Sequence, residues 1–403
     1  MRVLQINTDV NTGSTGRVAE DIGKLLIAGG HESYVAYGRG NSNSESKLIK
    51  IGNNFDIIFH VIKTRITDKH GFGSKKATYN FIKKVESLRP DIAILHNIHG
   101  YYINIEVLFN YLNKANIPVV WTLFDCWSFT GHCSYFDDID CGRWESECYS
   151  CPKSNRYPES FLFDNSINNY TIKKRLFSSK SNLHIIVHSA WLESLVKKSF
   201  LGKLPIHLIY NGIDTDIFKP SEANIRKKYN IENQQIILGC ASTWDKRKGL
   251  NDFLKLADNL DSQQIIILVG LSKKQIQQLP QGMVGISRTE NVQELVALYS
   301  TADVFVNPTW QDNFPTTNLE ALACGTPVIT YKTGGSPEAI DAKTGLVVTK
   351  GNINELHDAI ISILKMGKKY YSEACRKRAK QLFNYKHQFR EYISLLQNLV
   401  EKR

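Results

Sequence analysis

The stretch Val304-Phe305-Val306-Asn307-Pro308-Thr309-Trp310-Gln311-Asp312-Asn313-Phe314-Pro315-Thr316-Thr317-Asn318-Leu319-Glu320-Ala321-Leu322-Ala323-Cys324-Gly325-Thr326-Pro327 decides the fold. An apolar strand, Val304–Asn307, ends in a polar loop, and a helix begins near Thr316 or Thr317. A short, continuously apolar strand followed by a helix belongs in a parallel sheet covered on both faces. The amides at such a helix start form the positive end of its dipole and suit a phosphate.

The same unit repeats outward from this stretch. In the second half, strands are expected at Ile236–Gly239, Ile265–Gly270, Val328–Tyr331 and Leu346–Val348. In the first half they are expected at Val3–Asn7, Ser33–Tyr37, Ile92–Leu95, Val119–Leu123, Ile185–His188 and Leu208–Tyr210. Two such series imply an α/β chain with two Rossmann-like, doubly wound parallel-sheet domains. The expected division is 1–205 and 206–383, because Gly202, Pro205, Gly212 and Pro220 weaken the chain between them. A terminal helix at 384–403, with Phe389, Tyr392, Ile393, Leu396, Leu399 and Val400 on one stripe, suits either domain. The first helix follows Asn11-Thr12-Gly13-Ser14-Thr15-Gly16. Val18, Ile22, Leu25 and Leu26 form its apolar face, Ser14 or Thr15 its cap and Gly29-Gly30 its stop.

Composition narrows the function classes. At 403 residues and 42% hydrophobic, the chain builds real cores. No apolar run approaches the roughly 20 residues of a membrane-spanning helix. Met1–Asn7 reads as a buried strand rather than a signal peptide, so a cytoplasmic location is expected. The formal charge of +11 suits anionic partners. The basic residues are dispersed, as in Lys173-Lys174-Arg175, Arg226-Lys227-Lys228 and Arg376-Lys377-Arg378. Solvated helix faces, or a peripheral contact with anionic inner membrane, account for them. No basic patch interleaved with aromatics is present, which sets nucleic acid aside.

Four clusters carry chemistry. Gly13 and Gly16 punctuate a strand-to-helix turn that could hold an anionic group or simply make a tight turn. His96, His99 and Tyr101 follow one strand, and Asp125, Cys126 and His132 follow the next. Strand ends are where open α/β sheets bind ligands. Arg247 and Lys248, with Gly249, open a helix where a diphosphate would sit. Asp312 and Glu320, flanking Phe314, Pro315, Thr316 and Thr317, suggest hydroxyl recognition, although Thr317-x-x-Glu320 also fits a capping box. Five of the eight cysteines crowd into 126–151, and an insertion is expected over 126–160. The Cys148–Cys151 gap is one that zinc sites favour. Cys133, Cys141, Cys148 and Cys151 are the expected ligands of a structural zinc, with reduced packed thiols as the alternative. The strings Asp138-Ile139-Asp140 and Asp214-Thr215-Asp216 resemble metal–nucleotide motifs but fall in the insertion and in a turn.

The chain resembles family GT4 glycosyltransferases of the GT-B type, which have a deep inter-domain cleft. The resemblance lies in Asn211-Gly212-Ile213-Asp214, Phe218 and Pro220, in Lys248-Gly249, and in Asp312 and Glu320 with seven residues between them. It continues through Ala321–Val328 and Gly334-Gly335-x-Pro337-Glu338. The stretch His96–Tyr102, with Trp121–Trp127 and Gly131-His132-Cys133, is similar to a subgroup making exopolysaccharides such as colanic acid. The resemblance implies a retaining transfer that needs no catalytic metal. The donor would be a UDP- or GDP-sugar bound by the second domain, and the acceptor a glycan or lipid-linked oligosaccharide held by the first. By position, Lys248 would neutralise the leaving diphosphate, Glu320 hold the ribose, Thr316 and Thr317 meet the phosphates, and Asp312 contact the sugar. A sugar-nucleotide epimerase and a non-catalytic binding relative share the same frame. Three residues depart from the pattern. The first acid is Asp312 rather than glutamate, Thr243 replaces a basic residue, and Phe124 replaces a histidine. Among nearby residues, His132 and Asp125 are expected to take over from that histidine.

Overall fold

The structure, a computed structural model, describes residues 1–40, 43–222 and 225–402. Arg403, at the end of the expected terminal helix, lies outside the described residues. The first sheet contains β1 (Arg2–Asp9), β2 (Glu32–Arg39), β3 (Lys47–Lys50), β4 (Ile92–Leu95), β5 (Val119–Leu123), β6 (Leu183–Val187) and β7 (Ile206–Leu208). All its pairings are parallel, in the order β3-β2-β1-β4-β5-β6-β7. The second contains β8 (Gln235–Cys240), β9 (Gln264–Val269), β10 (Met283–Ile286), β11 (Val304–Asn307), β12 (Val328–Tyr331) and β13 (Gly345–Val348). It is also parallel, in the order β10-β9-β8-β11-β12-β13. In each sheet the winding reverses once, between β1 and β4 and between β8 and β11. At such a switch point the flanking loops diverge and leave a crevice at the strands' carboxyl ends.

The chain divides into one unit of Met1–Tyr210 with Phe389–Arg403 and another of Asn211–Gln388. β7 lies just past the expected boundary at 205/206, yet it pairs with β6 at the edge of the first sheet. The terminal helix, Tyr385–Glu401, ends in the first unit. There Phe389, Tyr392 and Leu396 are buried, and the Tyr392 hydroxyl meets Thr122 Oγ1 at 2.6 Å.

The first helix runs Gly13–Ala28, so Ser14 and Thr15 lie inside its first turn rather than before it. Its N-cap is Thr12, with no side-chain cap bond. Gly16 sits in a tight place, where a Cβ would meet Asn11 N at 3.2 Å and Asp9 O at 3.3 Å. The insertion after β5 has only two 3-10 turns, Trp127–Phe129 and Arg143–Glu145. It packs around its own aromatics, Trp144 stacking on Phe136 at 5.0 Å. Lys173 is wholly buried beneath it, donating to the carbonyls of Trp127 and Thr130 at 2.8 and 3.1 Å. Burial lowers the Lys173 pKa to about 7.

Candidate active site

In the second unit the charged side chains gather at the β8/β11 switch point. Lys248 closes a 3-10 turn after β8, its amide held by the Asp245 side chain at 3.0 Å. Its Nζ meets Asp312 Oδ2 at 2.5 Å in the loop after β11. Arg247 ties the two loops together: its guanidinium donates to Gln311 O at 3.1 Å, and its carbonyl accepts from Trp310 N at 2.8 Å. Gly249 is needed here, at φ +79 with a Cβ position 2.2 Å from Pro308 O.

The helix after this loop is Thr316–Ala323, with Pro315 as N-cap and no side-chain cap bond. Proline cannot cap through a side chain, so the first-turn amides of Thr316 and Thr317 have no competing carboxylate or hydroxyl from the N-cap. The capping-box reading of Glu320 fails for the same reason, because Thr317 is already helical. Instead Glu320 is buried and accepts a hydrogen bond from the Tyr299 hydroxyl at 2.8 Å. Phe314 is buried against Phe383, their ring centroids 5.8 Å apart. Behind the loop, Asn307 Nδ2 donates to Asn318 Oδ1 at 2.8 Å, and Gly335 N donates to Asn313 O at 2.9 Å.

In the first unit the ends of β1, β4 and β5 converge. Thr8 Oγ1 donates to His99 O at 2.7 Å, so β1 sets the turn that carries His99. His99 Nε2 lies 2.9 Å from Asp125 Oδ2, and its Nδ1 lies 3.1 Å from the Tyr157 hydroxyl. Asp125 is oriented in turn by Trp127 N at 2.9 Å. A pocket lined by His96, His99, Phe124, Asp125 and Trp127 opens there. His96 is buried, with Nε2 on Gln5 Oε1 at 2.8 Å and Nδ1 unpartnered. Burial, helped by His188, lowers its pKa to about 3. Phe124 stands between these two histidines, 6.2 Å from the His96 ring and 5.0 Å from His188. Tyr101 is buried at φ +70 with its hydroxyl unpartnered.

His132 does not return to this strand end. It is 2% exposed, with Nδ1 hydrogen-bonded to Asp68 and Nε2 near Arg156 O at 3.3 Å. With both nitrogens engaged below the surface, it is placed for structure and not for proton transfer to an acceptor. The histidine brought to Asp125 is His99.

A model described as Glycosyltransferase Family 4 matches residues 15–217, slightly more than half of the chain. The chain belongs to Glycosyltransferase Family 4. A second model, described as Glycosyl transferases group 1, matches residues 221–382. WcaC of Escherichia coli K12, named for colanic acid biosynthesis glycosyl transfer, is 22% identical over 99% of this chain and all of its own. A D-inositol 3-phosphate glycosyltransferase of Corynebacterium jeikeium is 26% identical over 52% of each chain. Among solved structures, sucrose-phosphate synthase of Thermosynechococcus elongatus superposes with a TM-score of 0.74 at 18% identity, covering both chains fully. HepE of Anabaena, solved with UDP-glucose, gives 0.71 at 15% identity over 99% of this chain and all of its own. At these identities the structural likeness is one of fold, and that fold is GT-B.

This chain is a GT-B glycosyltransferase. The two candidate clusters, each within its own unit, contain residues that no motif announced. Tyr157, His188 and Tyr299 lie far in sequence from the groups they touch. Arg39 donates to Gly100 O from the end of β2, and its position after a strand is the one signal that could have flagged it. The suspect acidic strings are spent on structure, since Asp138 pairs with Lys153 and Arg156, and Asp214 caps Asp216 and Ile217. No helix among the described residues is long and apolar enough to cross a membrane.

Proposed function

We propose that this glycosyltransferase is a retaining hexosyltransferase of bacterial exopolysaccharide synthesis, taking a UDP- or GDP-sugar to a glycan or lipid-linked acceptor. The observation that carries the reading is the convergence of Lys248, Asp312 and an uncapped helix start at the β8/β11 switch point. Colanic acid biosynthesis in the name of the E. coli relative supports the pathway class, and UDP-glucose in the Anabaena structure supports the donor class. The second unit then holds the donor. Lys248 and the Thr316 and Thr317 amides neutralise the diphosphate, Asp312 takes a sugar hydroxyl, and Glu320 holds the ribose. Gly13 and Gly16, at the start of the first helix, are proposed to meet an anionic group through their backbone. In the first unit His96, His99, Tyr101 and Asp125 bind the acceptor.

In the reaction, the C1–oxygen bond to the diphosphate breaks and a bond from C1 to the acceptor oxygen forms on the same face. The acceptor proton passes to the departing phosphate oxygen. Preorganised positive charge where the diphosphate leaves lowers the barrier without a protein nucleophile. A thermal-shift panel of UDP, GDP and their sugars tests the donor class, since a bound ligand stabilises by mass action. NMR of the anomeric product tests stereochemistry. An inverted product, or stabilisation by no nucleotide, would overturn the reading.

The same proposal includes a structural zinc held by Cys133, Cys141, Cys148 and Cys151. All four thiols are free and line one small cavity, with His132 on its wall. Gly131 N donates to Cys148 Sγ at 3.1 Å, the kind of bond that steadies a metal-bound thiolate. Among the described residues no three or more His, Cys, Asp or Glu are gathered closely enough to hold a metal, so binding would draw the sulfurs inward. Elemental analysis of protein purified without chelators is expected to find one zinc per chain. Zinc-free protein with four titratable thiols there would remove the site.

A further inference from the structure

The helix Asn54–Thr67 carries its apolar stripe on the outside. Its buried residues are His60 and Thr64. Phe55 and Phe59 are 72% and 69% exposed, and Ile58, Ile62 and Ile66 are exposed with them. Positions 55, 58, 59, 62 and 66 follow helical spacing and so form one face. A second segment extends that face. Phe161, Leu162 and Phe163 are 67%, 70% and 60% exposed. This segment is fastened to the end of the helix: Phe161 N donates to Arg65 O at 2.8 Å, and Asn165 Nδ2 donates to Thr67 O at 2.6 Å. The Arg65 guanidinium covers the Phe161 ring at 5.2 Å.

Single exposed apolar residues are ordinary, but a contiguous set on one face marks a contact surface. Its rim identifies the partner. Lys69 and Lys75 are exposed just beyond the helix, and Lys63, on the helix, donates to Phe72 O at 3.0 Å. The nearby acids are already engaged. Glu159 pairs with Arg65, Asp56 accepts from Asn53 N, Asp68 is buried on His132, and Asp164, exposed beside Phe163, accepts from Cys151 N and Ser166 N. An apolar stripe edged by lysines is the build of a helix that lies in the headgroup region of an anionic membrane.

We propose that the helix Asn54–Thr67 and the segment 161–163 form a docking face that inserts into the surface of an anionic phospholipid bilayer. Four residues before that segment is Tyr157, whose hydroxyl lies 3.1 Å from His99 Nδ1. Docking through this face would hold the unit that carries His99 and Asp125 at the headgroups, where a lipid-linked glycan is found. That last step rests on the acceptor role proposed for His99; the docking does not.

Sedimentation of the purified protein with phosphatidylcholine vesicles, with and without phosphatidylglycerol and without donor or acceptor, tests the docking. Binding is expected with phosphatidylglycerol and should weaken with salt. The triple variant Phe59→Ser, Phe161→Ser, Leu162→Ser should lower the partition about tenfold or more. Its Tm and its thermal shift with nucleotide should stay unchanged. Lys69→Gln with Lys75→Gln should remove much of the phosphatidylglycerol preference. Absence of wild-type binding at low salt, or equal binding by the triple variant, would overturn the proposal. So would a dimer that the triple variant dissociates and that ignores vesicles, since the face would then meet protein.

Discussion

The two switch points solve the same topological problem with opposite chemistry. At β8/β11 the side chains are charged and partly open, with Lys248 and Asp312 paired at 2.5 Å. At β1/β4 and the neighbouring end of β5 they are mostly buried histidines and tyrosines, with one carboxylate, Asp125, held by His99. Nine of the eleven histidines belong to the first unit, leaving only His357 and His387 in the second. A leaving diphosphate carries charge and needs countercharge. A sugar hydroxyl is neutral and needs directional hydrogen bonds, which an imidazole kept uncharged by burial, as at His96, supplies without attracting anions.

The largest way to test this contrast is acid. Burial above all holds His60 and His96 near a pKa of about 3 and His188 near about 4, and lowers buried His70 well below the ordinary 6.5. The unfolded chain therefore takes up protons that the folded chain refuses. Stability is full above about pH 6.5 and falls as pH drops towards the folded values, by up to about 1.4 kcal/mol per group per pH unit. A total loss of several kcal/mol, on the order expected for such linkage, should appear in urea midpoints between pH 7 and pH 4.5. Limited proteolysis should find the first unit opening first; the opposite order would break the comparison. His132 runs the other way. Burial opposes its charge, but the Asp68 hydrogen bond and charge outweigh burial and raise its pKa. Its contribution is present in acid and fades as pH rises past the folded pKa.

Next comes Lys248→Ala, which should cost about 3 kcal/mol of transition-state stabilisation, or about 10²-fold in kcat/KM. Near-normal turnover would mean that the charged cluster does not serve the leaving group. His99→Ala should lower turnover about 10-fold to 10²-fold, the low end of what a positioned acid–base or hydrogen-bonding group supplies, while nucleotide affinity measured by calorimetry stays unchanged. A matching loss of affinity would assign His99 to the donor and blur the division. The smallest effect is Glu320→Gln. It should weaken nucleotide binding about tenfold, about 1.4 kcal/mol, and leave Tm nearly unchanged because the amide oxygen still accepts from Tyr299. Unaltered binding would leave Glu320 as a support for Tyr299 alone.

Most of the sheet architecture was legible because central parallel strands must be apolar on both faces. Ile92–Leu95, Val119–Leu123, Val304–Asn307 and Val328–Tyr331 fall where their pattern puts them. The two missed strands are edges. Lys47-Leu48-Ile49-Lys50 is largely exposed, and Met283–Ile286 is only half-buried, so neither carries a continuous apolar signal. On the charged side, Lys248 and Asp312 were readable because each lies in the loop that follows a strand, after β8 and β11. On the neutral side the partners come from distant segments. His99 meets Tyr157 across 58 positions, and His132 turns to Asp68 across 64, distances over which spacing says nothing.

The return of the chain to its first unit has a temporal meaning. Phe389, Tyr392 and Leu396 fill that unit's core, yet they are made after every strand of the second sheet. On a ribosome the first 210 residues emerge early and must wait, lacking their last helix, while the second unit is synthesised and can fold. The part of the protein translated first is thus the part completed last. A ribosome stalled anywhere before residue 389 holds a nascent chain whose first half remains unfinished.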